Sequence, residues 1–199
     1  MTVSSQDGAD GADEADEAGE VAPHQLLRVV VLADTHLRGD AAHRAGRKPL
    51  LNALWAHLSG ADVILHAGDV LDQTVLDLLR ERAPVHAVLG NNDRALVGVL
   101  PQIRMLPIGG VAVGMIHDSG PAKGRSRRMK RRFPHADIVV FGHSHAPVNE
   151  TGEDGQLLFN PGSPTQRRAQ PVHTIGELRI AGGRLLSHRI IPLDGPASA

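Results

Sequence analysis

Three apolar runs in the first half of the chain each give way to a carboxylate or an amide, with an amphipathic segment between consecutive runs. "LLRVVVLAD" spans Leu26–Asp34, "ADVILHAGD" closes on Asp69, and "VHAVLG" leads into Asn91. Continuous apolar runs of this length suit strands buried on both faces. The first intervening segment, "RKPLLNALWAHLSG", sets Leu50, Leu51, Leu54, Trp55 and Leu58 at helical spacing before Gly60. The second, "DQTVLDLLRERA", offers Asp72 as an N-cap and has Pro84 just beyond its end. Strand, helix, strand, helix, strand defines a parallel sheet with right-handed crossovers. Ligands of such sheets bind beyond the carboxyl ends of the strands, so Asp34, Asp69 and Asn91 are expected on one rim.

After Asp93 the pattern changes. "IRMLPIGGVAVGMIH" reads as a hairpin turning at Gly109-Gly110, followed by a short basic helix over roughly Gly124–Phe133. "ADIVVFGHSH" is a further buried strand, and two more hairpins turn at Glu153–Gly155 and Gly182-Gly183. Parallel units first and antiparallel hairpins last predict a mixed fold, a two-sheet sandwich flanked by helices.

Composition narrows the chemistry. The chain of 199 residues has no cysteine, which removes disulfides and thiolate metal sites; any metal must use His, Asp or Asn. Twelve histidines stand against three Phe, one Trp and no Tyr, so an aromatic platform for single-stranded nucleic acid is not expected. No apolar run is long enough to cross a membrane and no secretory signal is evident, which predicts a cytoplasmic protein without a membrane partner. Residues 1–24 hold seven acids and no Lys or Arg, so the chain's net charge of −1 leaves +6 on the remainder. We read 1–24 as a disordered acidic tail, 25–194 as a single domain and 195–199 as a flexible end.

The chemistry-bearing residues recur at strand ends. Asp34 with His36, Asp69, Asn91, His117, and His143 with His145 supply two carboxylates, an amide and four imidazoles. On extended chain, residues two apart point the same way, so Asp34/His36 and His143/His145 can each aim at one centre. Mixed N and O donors suit Mn, Fe, Co, Ni or Zn, and seven donors fit two ions sharing a bridge. Two divalent ions, two carboxylates and a bridging hydroxide leave a net positive site, which attracts an anion such as a phosphate ester.

"DTH", "GD", "GNND", "IHD" and "GHSH" stand in the order of the motifs of calcineurin-like metallophosphoesterases, and the chain resembles that superfamily from about Leu27 to Ile191. Its length and "NPGSPTQRR" are similar to the small prokaryotic YfcE-like phosphodiesterase branch. The resemblance implies a four-layer αββα sandwich with two divalent transition-metal ions, Mn or a similar ion. Asp34, His36 and His145 would hold the first ion, Asp69 would bridge, and Asn91, His117 and His143 would complete the second. Metal-bound hydroxide would attack a small phosphodiester. A phosphomonoesterase or nucleotide pyrophosphatase on the same site is the nearest rival, and a protein-binding scaffold like the retromer subunit of this fold is the alternative of another class. A homo-oligomer stays open.

Asn92 departs from the pattern, since many relatives carry a His there, a candidate general acid or transition-state stabiliser. An amide can hydrogen-bond a phosphoryl oxygen but donates no proton near neutral pH, so slower turnover and a preference for good leaving groups are expected. Ala33 and Leu37 are lesser departures, where Ser and Gly are frequent, and Asp118 stands where Gly is usual. Asn91 and Asn92 are the candidates for touching the phosphoryl group. His66 and Asp93 are expected behind the ligands, His66 orienting Asp69, and Arg167 and Arg168 are candidate substrate contacts. "KGRSRRMKRR" (Lys123–Arg132) has seven bases in ten; it reads first as a solvated helix with Met129 and Phe133 packed inward, and nucleic acid is an allowed but not favoured partner.

Overall fold

The structure, a computed structural model, describes residues 25–39 and 49–193. The acidic stretch 1–24 and the end 195–199 lie outside the described residues. Among the described residues, ten strands and three α-helices follow in the order β1 (Leu27–Leu32), α1 (Pro49–Leu58), β2 (Val63–His66), α2 (Gln73–Arg80), β3 (Val85–Ala87), β4 (Ile103–Ile108), β5 (Val111–Ile116), α3 (Arg125–Arg132), β6 (Ile138–Val140), β7 (Val148–Thr151), β8 (Leu157–Asn160), β9 (Thr174–Ala181) and β10 (Arg184–Pro192).

The strands form two five-stranded mixed sheets, ordered β10-β9-β1-β2-β3 and β4-β5-β6-β8-β7. β1, β2 and β3 run parallel, with Val31 beside Leu65 and Ile64 beside Val85. In the second sheet β5, β6 and β8 are parallel and the hairpins β4–β5 and β7–β8 antiparallel; the hairpin β9–β10 lies in the first sheet, and all three hairpins turn where predicted.

Period-two alternation explains the layers. Val29 and Val31 of β1 face the second sheet, where they meet Val113, Met115, Val140 and Phe159. Val30 and Leu32, one residue out of phase, pack on the outer side with Leu54 and Leu58 of α1 and Val75, Leu76 and Leu79 of α2. Met129 of α3 and Phe133 behind it cover Val139, Phe141 and Leu158 on the outside of the second sheet. Helices, sheet, sheet, helix is the expected αββα order, and its inner sheets are apolar on both faces because both are covered. The Asp72 side chain accepts from Val75 N at 3.3 Å and caps α2.

One element is shorter than its apolar run. β3 ends at Ala87, and Leu89 N donates to Pro101 O instead of continuing the sheet. As the edge strand it has a ladder partner on one side only, so a nearby loop takes its backbone. Among the described residues no helix is long and apolar enough to cross a membrane.

Candidate metal centre

The rim above β1, β2, β3, β5 and β6 gathers every predicted donor, but not by extended chain. Asp34, His36, Asp69, His143 and His145 all have positive φ, between 44° and 68°. The spacing argument from extended backbone is therefore corrected: each strand ends and the chain turns left-handed, presenting successive side chains from tight loops. Asp and His enter this region more readily than most L residues, though at a cost of roughly 1–3 kcal/mol each. The GHSH pair also separates. His145 Nε2 lies 3.5 Å from Asp34 Oδ1 and 3.2 Å from His36 Nε2, while His143 Nδ1 lies 2.9 Å from Asn91 Oδ1.

Two groups result. The donor atoms of Asp34, His36 and His145 lie within 4.8 Å of one another, and so do those of Asp34, Asp69 and His117. Asp34 belongs to both. Asp69 Oδ2 is also shared, at 3.5 Å from His36 Nε2 and 3.5 Å from His117 Nε2. His117 Nε2 is 3.0 Å from Asn91 Oδ1, which joins Asn91 and His143 to the second group.

Backbone interactions fix these loops. Asp34 N donates to Gly68 O and His36 N to Asp69 O, so the first two strand-end loops are bonded to each other. Asp93, almost fully buried, accepts from Asp69 N (2.9 Å), Leu71 N (2.8 Å) and Gly90 N (2.8 Å). Gly90 permits this approach: a Cβ there would stand 2.1 Å from Asp69 N. Gly68, at φ 90°, would place a Cβ 2.7 Å from His117 Nδ1.

The ring tautomers follow from their partners. His117 Nδ1 faces Ala67 O at 2.7 Å and His145 Nδ1 faces Gln166 O. A carbonyl only accepts, so each Nδ1 carries a proton, which leaves Nε2 as the atom of each ring that faces inward and can ligate a metal once it is deprotonated. Burial lowers the basicity of His36 and His145, which keeps both neutral near pH 7. Burial raises the Asp34 carboxyl to about 7, and its Oδ2 is buried without a hydrogen-bond partner. Burial acts on Asp69 in the same sense, but hydrogen bonds from His117 and Asn92 outweigh it and hold the carboxyl well below the usual range. His117 is correspondingly raised: burial opposes its charge, and Asp69 and Ala67 outweigh that. Converging lone pairs, an unpartnered buried carboxylate oxygen and a second carboxylate kept ionised form a donor set that fits divalent cations.

The remaining predicted residues divide. Asn92 donates from N to Asp69 Oδ1 (2.8 Å) and from Nδ2 to Asp69 Oδ2 (2.7 Å). Arg168 Nη1 donates to His143 O at 3.3 Å, at the rim. Arg167 turns to its own loop and bonds Gln170 O. His66 does not bond the Asp69 carboxylate. Its Nε2 lies 3.1 Å from Thr35 Oγ1, which in turn reaches Asp69 O at 3.4 Å, so it braces two loops through a hydroxyl. Burial pushes its pKa down to about 3, so it stays neutral. The end of β8 and the loop after it supply supports that sequence reasoning missed. Ser163 Oγ donates to Asp34 O, Thr165 Oγ1 to Thr35 O, and Asn160 Nδ2 to Gly142 O. The run of short polar residues in "NPGSPT" was the available signal.

Two covered sheets carry a strand-end cluster of His, Asp and Asn that could hold metal ions. The profile of the calcineurin-like phosphoesterase superfamily domain matches residues 27–182, so the chain belongs to that superfamily. A probable metallophosphoesterase of Methanocaldococcus jannaschii is 34% identical over 168 residues, covering 82% of this chain and 80% of the relative. An archaeal phosphodiesterase of known structure superposes with a TM-score of 0.62 at 20% identity, over 83% of this chain and 99% of its own. Vps29 of Chaetomium thermophilum superposes at 0.65 and 15% identity, over 83% of this chain and 95% of its own.

Proposed function

We propose that the protein is a binuclear metal-dependent phosphodiesterase acting on small phosphodiesters. The observation that carries this reading is the position of Asp69 Oδ2, 3.5 Å from an imidazole of each donor group. In this reading Asp69 bridges, Asp34, His36 and His145 hold one ion, and Asn91, His117 and His143 hold the other. Two divalent ions, manganese or another first-row metal, would lower the pKa of a shared water and neutralise a phosphoryl group. The protein's own part is positioning. Arg168, at the rim, offers positive charge to the substrate's phosphate. Asn92 offers an amide N–H but no acid, which favours diesters with good leaving groups. A cytoplasmic location is part of the proposal.

The test is metal analysis of the purified protein with manganese-dependent hydrolysis of an activated aryl phosphodiester, assayed beside the matching monoester. Diester hydrolysis that disappears in Asp69→Asn supports the proposal. A monoester rate well above the diester rate replaces it with a phosphatase. No bound metal and no difference between wild type and Asp69→Asn leaves the protein-binding scaffold.

A further inference from the structure

The basic helix α3 is not used by the metal centre, and its cations fall into two sets. Arg128 donates to the carbonyls of Ser119 and Pro121, Lys130 pairs with Asp154 at 3.4 Å, and the Arg125 guanidinium lies 5.1 Å from the centre of the Phe141 ring. Lys123, Arg127, Arg131 and Arg132 are exposed, and among the described residues no acid pairs with them. Arg127 and Arg131 are four apart on the helix, so like charges face each other along its outer side. Such a like-charge pair destabilises a helix until an anion lies across it.

The chain carries a matching anion. Residues 1–24, outside the described structure, hold Asp7, Asp10, Asp13, Glu14, Asp16, Glu17 and Glu20 with no Lys or Arg. The described structure begins, just before β1, at the same end of the sandwich as the last turn of α3. Leu27, at the start of β1, lies against the Gly109 turn. That turn opens β5, whose Ala112 N bonds the Asp137 carboxylate and whose Ala112 O accepts from Asp137 N. Asp137 directly follows the α3 exit through Phe133 and Ala136, which are themselves bonded. A chain of 24 residues reaches about 80 Å fully extended and has a root-mean-square span of about 27 Å, so the link across one end of the molecule is short by comparison. Tethering on that scale corresponds to effective concentrations in the millimolar range.

We propose that the acidic N-terminal segment docks on the outer face of α3, through Arg127, Arg131, Arg132 and Lys123, and masks that face from other polyanions. The contact is electrostatic and therefore salt-sensitive.

The test uses the full chain and a full-length variant with its seven tail acids changed to Asn or Gln, followed by backbone NMR and by anisotropy of a labelled single-stranded DNA. At about 20 mM salt, neutralising the tail shifts the amide resonances of residues 123–132, and raising wild type to about 500 mM salt shifts them the same way. The variant binds the DNA about tenfold more tightly than wild type, and Arg127→Gln with Arg131→Gln in the variant removes that gain. Unmoved α3 resonances on tail neutralisation overturn the proposal. Equal DNA affinity of wild type and variant also overturns it, and high affinity in both assigns the face to nucleic acid. None of these readouts depends on hydrolysis, so they stand apart from the test of the proposed activity.

Discussion

Asn92 holds both oxygens of Asp69, donating its backbone N–H to Oδ1 at 2.8 Å and its side-chain amide to Oδ2 at 2.7 Å. The residue that stands where the resemblance leads one to expect His thus also bonds the carboxylate proposed to bridge two ions. Asn92→Ala removes one of the two bonds and leaves the other. Loss of such a supporting contact typically costs 10- to 100-fold in metal affinity. We expect a loss toward the lower end of that range by calorimetric titration, with little change in melting temperature of the metal-free protein. Asn92→His should raise turnover on esters with poor leaving groups more than on activated ones, up to the roughly 10²–10⁴-fold of general acid catalysis. An equal gain on both substrates would remove leaving-group protonation as the explanation.

Asp93 bonds three backbone N–H groups from the loops after β2 and β3. Asp93→Ala leaves those donors without their acceptor, at about 1–3 kcal/mol for each that stays dry. We expect destabilisation of about 3 kcal/mol or more, seen as a fall in melting temperature of roughly 6–12 °C. Asp93→Asn keeps an acceptor oxygen and should lose clearly less. Equal losses would mean that the carboxylate's charge, not its accepting geometry, is what the loops require.

Asp34 gives a prediction whose sign reverses with metal. In the metal-free protein burial raises its carboxyl to about 7, so the folded state binds a proton that the unfolded chain has released above about pH 4. Stability therefore falls as pH rises from about 4 to 7. Asp34→Asn removes this liability, and with chelator at pH 8 it should melt above wild type. With saturating manganese the order should invert, because wild type gains about 2.7 kcal/mol at a hundredfold excess over Kd and the variant lacks a ligand. Two-condition thermal melts measure both orders; a variant less stable than wild type in chelator would refute the account of Asp34.

Glu177, on β9, sits among Arg28, Arg179 and Arg189 with its side chain 4% exposed. Burial alone would raise its carboxyl, but hydrogen bonds from Arg189, Arg28 and Arg179 outweigh that and hold it at about 2. The folded value lies below the unfolded one. The stabilisation is therefore complete above about pH 4.5 and lost as pH falls toward 2. A lowering of about two and a half pH units is worth roughly 3 kcal/mol. Glu177→Gln should be less stable than wild type at pH 7 and converge on it near pH 2, followed by urea unfolding across that range.

The parallel units were legible because α1 and α2 carry apolar residues at helical spacing and β1 and β2 are buried on both faces. The hairpins were legible because Gly109-Gly110 and Gly182-Gly183 take positive φ, which glycine alone adopts freely. The candidate donors could be picked out locally, because each follows a strand. How the donors are aimed was not, since left-handed backbone at Asp34 and His143 leaves no mark in hydropathy. Nor could the sequence reveal that Thr35 stands between His66 and Asp69, or that Ser163 bonds Asp34 O, for these contacts join segments up to 129 residues apart.

The left-handed loops also limit how the centre can change. Asp34, Asp69, His143 and His145 each occupy backbone that β-branched and bulky residues enter only with strain. Asn and Gly tolerate it best. A donor lost by mutation to Asn or Gly leaves its loop almost undisturbed, and a donor lost to Val or Ile breaks the loop along with the chemistry. A lineage of this fold can therefore shed its metal one carboxylate at a time while the rim keeps its shape, leaving a ready-made surface free to take up a role that has nothing to do with hydrolysis.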